Sequence, residues 1–149
     1  MDLFAFESYR GMAEALKAPA GLTSAQFRVA RFENGELHVE VQSFVKAESG
    51  LILGSISPPD EQLLSALLLA HTLKKEGARR VTAVFPYLGY ARHDKVKPGE
   101  SLATAWVGKI VQASGIDQAI AVDVHSERAA ALSPVPWFRS PPPRFSRML

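Results

Sequence analysis

From Gly50 to Val124, three short apolar runs alternate with two segments of helical periodicity, and that order leaves few folds open. The runs are Gly50–Ile56 (GLILGSI), Arg80–Phe85 (RVTAVF) and Ala119–Val124 (AIAVDV). They are too short for helices and largely lack polar alternation, as expected of strands buried on both faces. Between them, Leu63, Leu64, Leu67, Leu68, Ala70 and Leu73 predict one broad inward helical face over 61–76, closed by Gly77. Leu102–Ala113 predicts a second helix, with Ser101 or Glu100 near its start and Gly115 at its end. Two consecutive βαβ units imply a mostly parallel sheet flanked by helices on both faces, an α/β fold. Pro86 is expected to cut the middle strand, and Asp60 is a candidate cap for the Leu-rich helix.

The amino-terminal third is organised differently. Leu3–Phe6 predicts a strand, and Tyr9, Met12, Ala13 and Leu16 predict a helix stopped by Pro19 and Gly21. Gln26–Phe32 and Leu37–Val41 both alternate and flank Asn34-Gly35. Both turn residues tolerate positive φ, so the segment predicts a tight β-hairpin. In α/β sheets ligands gather beyond the carboxyl ends of the strands, which directs attention to Ser55–Asp60, Pro86–Lys97 and Asp123–Arg128.

Composition excludes several classes. With 149 residues, 47% of them hydrophobic, the chain can build one packed core, and no apolar run approaches the roughly 18 residues of a membrane span. It has no cysteine, so disulfides and thiolate metal sites are excluded. The net charge of +2 is uneven: Arg128–Leu149 carries four basic residues and no acid, leaving 13 basic against 15 acidic residues before it. A nucleic-acid-binding face therefore has no support in the body of the chain. The same tail holds five of the ten prolines. The expected organisation is one domain over 1–132 and a Pro/Arg-rich tail over 133–149. The first residues show no basic stretch followed by an apolar one, so a cytoplasmic location is expected.

Polar chemistry collects in two places. Pro86–Glu100 brings Tyr87, Tyr90, Arg92, His93, Asp94, Lys95 and Lys97 to the carboxyl end of a strand. That composition suits a polyphosphate beside a stacked base, and equally a solvated loop with tyrosines packed beneath it. Asp123 and His125 lie two apart at the end of the last strand and project to one side, where carboxylate and imidazole could hold a divalent cation. His38 and His71 fit structural roles. Walker, GxGxxG, HExxH and GxSxG motifs are absent.

Arg31-Phe32-Glu33-Asn34-Gly35-Glu36, Pro86-Tyr87-Leu88-Gly89-Tyr90-Ala91-Arg92-His93-Asp94 and Asp123-Val124-His125 together resemble the amino-terminal half of ribose-phosphate pyrophosphokinase, also called phosphoribosyl pyrophosphate synthetase. The resemblance runs in order from about Phe27 to about Arg128. It implies a type I phosphoribosyltransferase-like fold and magnesium-dependent transfer of pyrophosphate from ATP to ribose 5-phosphate. It further implies that ATP lies at a subunit boundary of a homo-oligomer. There Phe32, Asn34 and Glu36 would reach the adenine from a neighbouring subunit, Arg92, His93 and Asp94 would line the nucleotide, and Asp123 and His125 would hold magnesium.

The chain departs from that pattern in places. His93 stands where the family usually has glutamine, and Lys95–Glu100 is short. Ala129–Phe138 lacks the acids that often follow the histidine. The family's Thr-Gly-Gly-Thr-like sugar-phosphate loop and its flexible catalytic loop occur nowhere in the chain. No catalytic residue is therefore expected here. The chain reads as an ATP-side domain, inactive alone, whose tail is a truncated linker to a second domain that would supply the ribose 5-phosphate site. The alternatives are a non-catalytic regulatory or assembly module, and an α/β domain whose loops carry no function.

Overall fold

A computed structural model describes residues 1–42, 49–123 and 126–139. In chain order the elements are β1 (Asp2–Ala5), a 3-10 turn (Glu7–Tyr9), α1 (Arg10–Ala20), β2 (Thr23–Ser24), β3 (Phe27–Arg31), β4 (Leu37–Val41) and β5 (Ser49–Leu53). They continue with α2 (Glu61–Lys75), β6 (Arg80–Tyr87), α3 (Ala103–Ala113), β7 (Gln118–Asp123), α4 (Glu127–Ala131) and β8 (Trp137–Arg139). Six strands form one sheet in the order β2-β1-β5-β6-β7-β8, and every neighbouring pair is parallel. The antiparallel hairpin β3-β4 stands apart as a second sheet. All carboxyl ends of the main sheet share one edge, as the alternation of strands and helices predicts.

Side chains alternate across the sheet with the two-residue period of a strand. Phe4, Ile52, Ala83, Phe85 and Ala119 face α2, α3 and the hairpin. Leu3, Leu51, Leu53, Val84 and Ile120 join Ala13 of α1 in a second cluster, so helices cover both faces. Leu51, Ile52 and Leu53 are all 0% exposed, which explains the unbroken apolar run. Each contributes about 1.5–3 kcal/mol of transfer free energy.

Four expectations need correction. The inward face of α2 is Leu63, Ser65, Ala66, Leu69, Ala70 and Leu73. Leu64 instead stands 49% exposed, with Leu67 and Leu68 half-buried. Leucine surrounds this helix, so composition could not set its rotational phase. Pro86 lies within β6 because the pairing with β5 ends at Leu53 opposite Val84, where no further ladder bond to β5 needs an N–H. Pro19 lies inside α1, and left-handed Gly21 ends that helix, with Leu22 N–H donating to the Lys17 carbonyl at 2.9 Å. The sheet also extends past residue 132. Val135 is 2% exposed, and β8 pairs with β7 from Ala119 opposite Trp137 to Ala121 opposite Arg139.

The hairpin turn is wider than a two-residue Asn-Gly turn. Phe32 N–H bonds the Glu36 carbonyl and Gly35 N–H bonds the Phe32 carbonyl, both at 2.9 Å. Only Gly35 takes positive φ (88°) in this turn. The Asn34 side-chain oxygen accepts from Glu36 N–H at 3.1 Å, which stabilises the tip locally.

Candidate functional site

The loop after β6 is built on a close approach of two main chains. Gly89 N–H donates to the Ile56 carbonyl at 2.5 Å, and a Cβ at position 89 would lie 2.1 Å from that same oxygen. Glycine is therefore required by contact rather than by dihedral freedom. Immediately after it, Tyr90 adopts φ 63°, the only non-glycine positive φ among the described residues. Its main-chain oxygen accepts from Thr104 Oγ1 at 2.6 Å and from His93 N–H at 3.0 Å, while Thr104 N–H donates to the His93 carbonyl at 3.3 Å. The first turn of α3 thus holds the loop from one side.

The start of α2 holds it from another. Asp60 occupies the N-cap position yet makes no side-chain capping bond; its carboxylate accepts from the Tyr90 hydroxyl instead. That hydrogen bond, with smaller contributions from desolvation and the carboxylate charge, raises the Tyr90 pKa above its ordinary 10.0, so the hydroxyl stays a donor at neutral pH. The next residue, Glu61, pairs with Arg31 at the base of the hairpin tip. Arg31 also donates to the Gly35 carbonyl.

Two concavities result. One, about 310 Å³, is lined by Pro58, Tyr87 and the loop from Leu88 to His93. Arg92 and His93 are both exposed there, at the carboxyl end of β6. The other, about 700 Å³, is a largely apolar groove between hairpin and helices, lined by Leu64, Leu67, Leu68, Trp106 and Ile110, with Glu36, Asp60, Glu61 and Arg31 at hand. The smaller one is the better candidate for an anionic ligand, because the Arg92 guanidinium and the His93 imidazole both line it and stay solvent-accessible. Tyr90 lines both.

The six residues expected at a nucleotide separate into three placements. Arg92 and His93 share the smaller pocket. Phe32, Asn34 and Glu36 are exposed at the hairpin tip, and Glu36 also lines the larger groove with Arg31, Glu61 and Tyr90. Phe32 is 54% exposed, and its ring lies 4.8 Å from that of His38. Asp94, expected beside Arg92, is only 5% exposed and accepts from Ser126 Oγ at 2.6 Å. Its carboxylate is committed to the protein because that serine also caps α4, accepting from Ala129 N–H at 3.0 Å. Neither of the two concavities is lined by both Asn34 and Arg92.

Of the expected metal ligands, Asp123 closes β7 opposite Tyr87, so its main chain stands beside the pocket-bearing strand. His125 lies outside the described residues. Among the described residues no group of three or more His, Asp or Glu side chains could hold a metal ion. Sequence reading missed Tyr90 in its pairing with Asp60, and it missed Thr104 and Ser126. Only Ser126, preceding Glu127 and an alanine run, carries a local signal, that of a helix cap.

The profile of the N-terminal domain of ribose phosphate pyrophosphokinase matches residues 1–115. Ribose-phosphate pyrophosphokinase of Mesorhizobium japonicum is 32% identical over 138 residues, covering 91% of this chain and 44% of the relative. The Fusobacterium nucleatum enzyme is 28% identical over the same length, with the same coverage. The crystal structure of phosphoribosylpyrophosphate synthetase from Mycobacterium smegmatis superposes with a TM-score of 0.82 at 26% identity, covering 92% of this chain and 47% of that one. The chain spans less than half the length of these relatives. With an all-parallel sheet, a separate hairpin and a cation-bearing loop beyond β6, the chain belongs to the ribose-phosphate pyrophosphokinase family, matching its amino-terminal domain.

Proposed function

We propose that this domain forms the ATP side of a ribose-phosphate pyrophosphokinase, a transferase of nucleotide biosynthesis that moves the terminal diphosphate of ATP to ribose 5-phosphate. The observation that carries the reading is the pocket beyond β6, where Arg92 and His93 stand exposed on a loop held from α2 and α3. A guanidinium fork suits two phosphate oxygens, and an imidazole can donate to a third or to the ribose. Phe32 offers an aromatic face for adenine, and Asn34 a donor and acceptor for the base edge. In this reading the hairpin of one subunit serves the loop of another, since neither concavity is lined by both Asn34 and Arg92. The working form under this proposal is a homo-oligomer. The sugar phosphate is bound by a second domain, and the enzyme works in the cytoplasm, without nucleic acid or membrane.

Asp123 and His125 are the residues that would hold magnesium, a hard cation that suits carboxylate and phosphate oxygens. When bound, it neutralises triphosphate charge and makes the β-phosphorus a better electrophile. This chain's own groups bind and orient: Arg92 fixes the phosphates, the hairpin tip fixes the base, and Asp94 supports the loop from beneath through Ser126.

Titration calorimetry with magnesium and a non-hydrolysable ATP analogue tests the reading. Binding at millimolar affinity or better is expected, and Arg92→Ala should weaken it at least about tenfold, the loss of a charge-assisted hydrogen bond. No binding at millimolar nucleotide overturns the assignment. The chain alone should show negligible phosphoribosyl pyrophosphate synthesis, and robust turnover would overturn placing the acceptor site in a second domain.

A further inference from the structure

Tyr90 is held by both its main chain and its side chain. Its backbone stands at φ 63°, a conformation that costs a side-chain-bearing residue about 1–2 kcal/mol and persists only where surrounding contacts impose it. Its carbonyl takes two hydrogen bonds, from Thr104 Oγ1 and from His93 N–H. Its hydroxyl reaches Asp60, a residue 30 positions earlier whose carboxylate leaves the head of α2 uncapped to make this bond. Glycine would satisfy the dihedral without strain, so the side chain is what the position requires.

We infer that Tyr90 is a positioning residue for the nucleotide loop: its bond to Asp60 sets where Arg92 and His93 stand relative to α2. Glu61, next in the chain, holds Arg31 and the hairpin from the same helix start. Two adjacent carboxylates thus give both candidate nucleotide-contacting segments a common reference. The inference rests on the assignment of Arg92 and His93 to the nucleotide. It adds a residue on the pocket wall whose bond to Asp60 acts through the loop's geometry.

The test uses the full chain and a magnesium–ATP analogue. Tyr90→Phe and Asp60→Ala should each weaken binding about five- to tenfold, matching the net contribution of one ordinary hydrogen bond. The double variant should be no weaker than either single one, because the bond can be lost only once. Asp60→Asn keeps an acceptor oxygen and should bind within about twofold of wild type. Tyr90→Gly relaxes the backbone yet should lose affinity like Tyr90→Phe. A second readout needs no ligand: in Tyr90→Phe, amide hydrogen exchange should quicken at His93 and Thr104 and stay unchanged in β1 and α1. Unchanged affinity and unchanged exchange in Tyr90→Phe, with wild type binding normally, overturn the inference. Altered exchange with no nucleotide binding by wild type overturns the assignment of Arg92 and His93 and leaves Tyr90 as the residue that sets the loop.

Discussion

Replacing Gly89 by alanine places a methyl carbon 2.1 Å from the Ile56 carbonyl oxygen and 3.1 Å from its carbon. An ordinary carbon–oxygen contact is about 3.3 Å, so the two main chains must separate by roughly 1 Å. Neither can yield easily. Ile56 is 0% exposed, and Leu88 and Ile56 form a parallel bridge beside the clash. Separation also lengthens the 2.5 Å bond from Gly89 N–H to Ile56. Overpacking of about 1–3 kcal/mol and a weakened hydrogen bond of about 0.5–1.5 kcal/mol together predict a loss of roughly 2–4 kcal/mol. Gly11→Ala provides the contrast. Gly11 lies in the first turn of exposed α1 with nothing within 4 Å of where a Cβ would stand, and the change should stabilise by about 0.5–1 kcal/mol through helix propensity. Urea unfolding followed by circular dichroism measures both. A Gly89→Ala protein within about 0.5 kcal/mol of wild type would refute the claim that contact, not chance, keeps glycine at this position.

Ser126→Ala removes both the cap of α4 and the partner of buried Asp94, and should cost about 1–2 kcal/mol in the same unfolding assay. Tyr90 should ionise above the ordinary 10.0 in an alkaline absorbance titration, and Tyr90→Phe should remove that step. Its folded pKa is raised, so its stabilising contribution is complete below the ordinary value of 10.0 and is lost as pH rises through the higher folded value. A Tyr90 transition at or below that ordinary value would contradict the Asp60 bond.

The parallel core was legible because burial on both faces writes itself as contiguous apolar residues, as at Leu51, Ile52 and Leu53. Where a feature depends on a distant partner, nothing local announces it. Asp94 sits among cations and reads as a ligand, yet its partner Ser126 is 32 positions away. Asp60 reads as a helix cap because it precedes a helix, while its bond goes to Tyr90, 30 positions later. β8 is hidden by composition: Pro134 and Pro136 suggest a linker, but Ala119 N–H bonds the Pro136 carbonyl at 3.0 Å, and Trp137 packs 6.1 Å from Phe85. A short edge strand tolerates proline beside it because its outer flank needs no donor. That the loop carrying Arg92 and His93 lies at the carboxyl edge of the sheet was legible from its place after a buried strand.

The all-parallel main sheet also has a kinetic consequence. Its pairings join Leu3 to Leu51, Leu53 to Val84 and Val84 to Ile120, each across an intervening stretch of chain long enough to hold a helix. None can form before that loop has closed, so the sheet is assembled from distant contacts and folds slowly. The hairpin β3-β4, whose strands are neighbours in sequence, is the exception. Together with the leucine-rich α2 on which Arg31 and Glu61 fasten it, it is the part able to gather early. The segment that reaches outward in the finished molecule is thus also the one best suited to begin its folding.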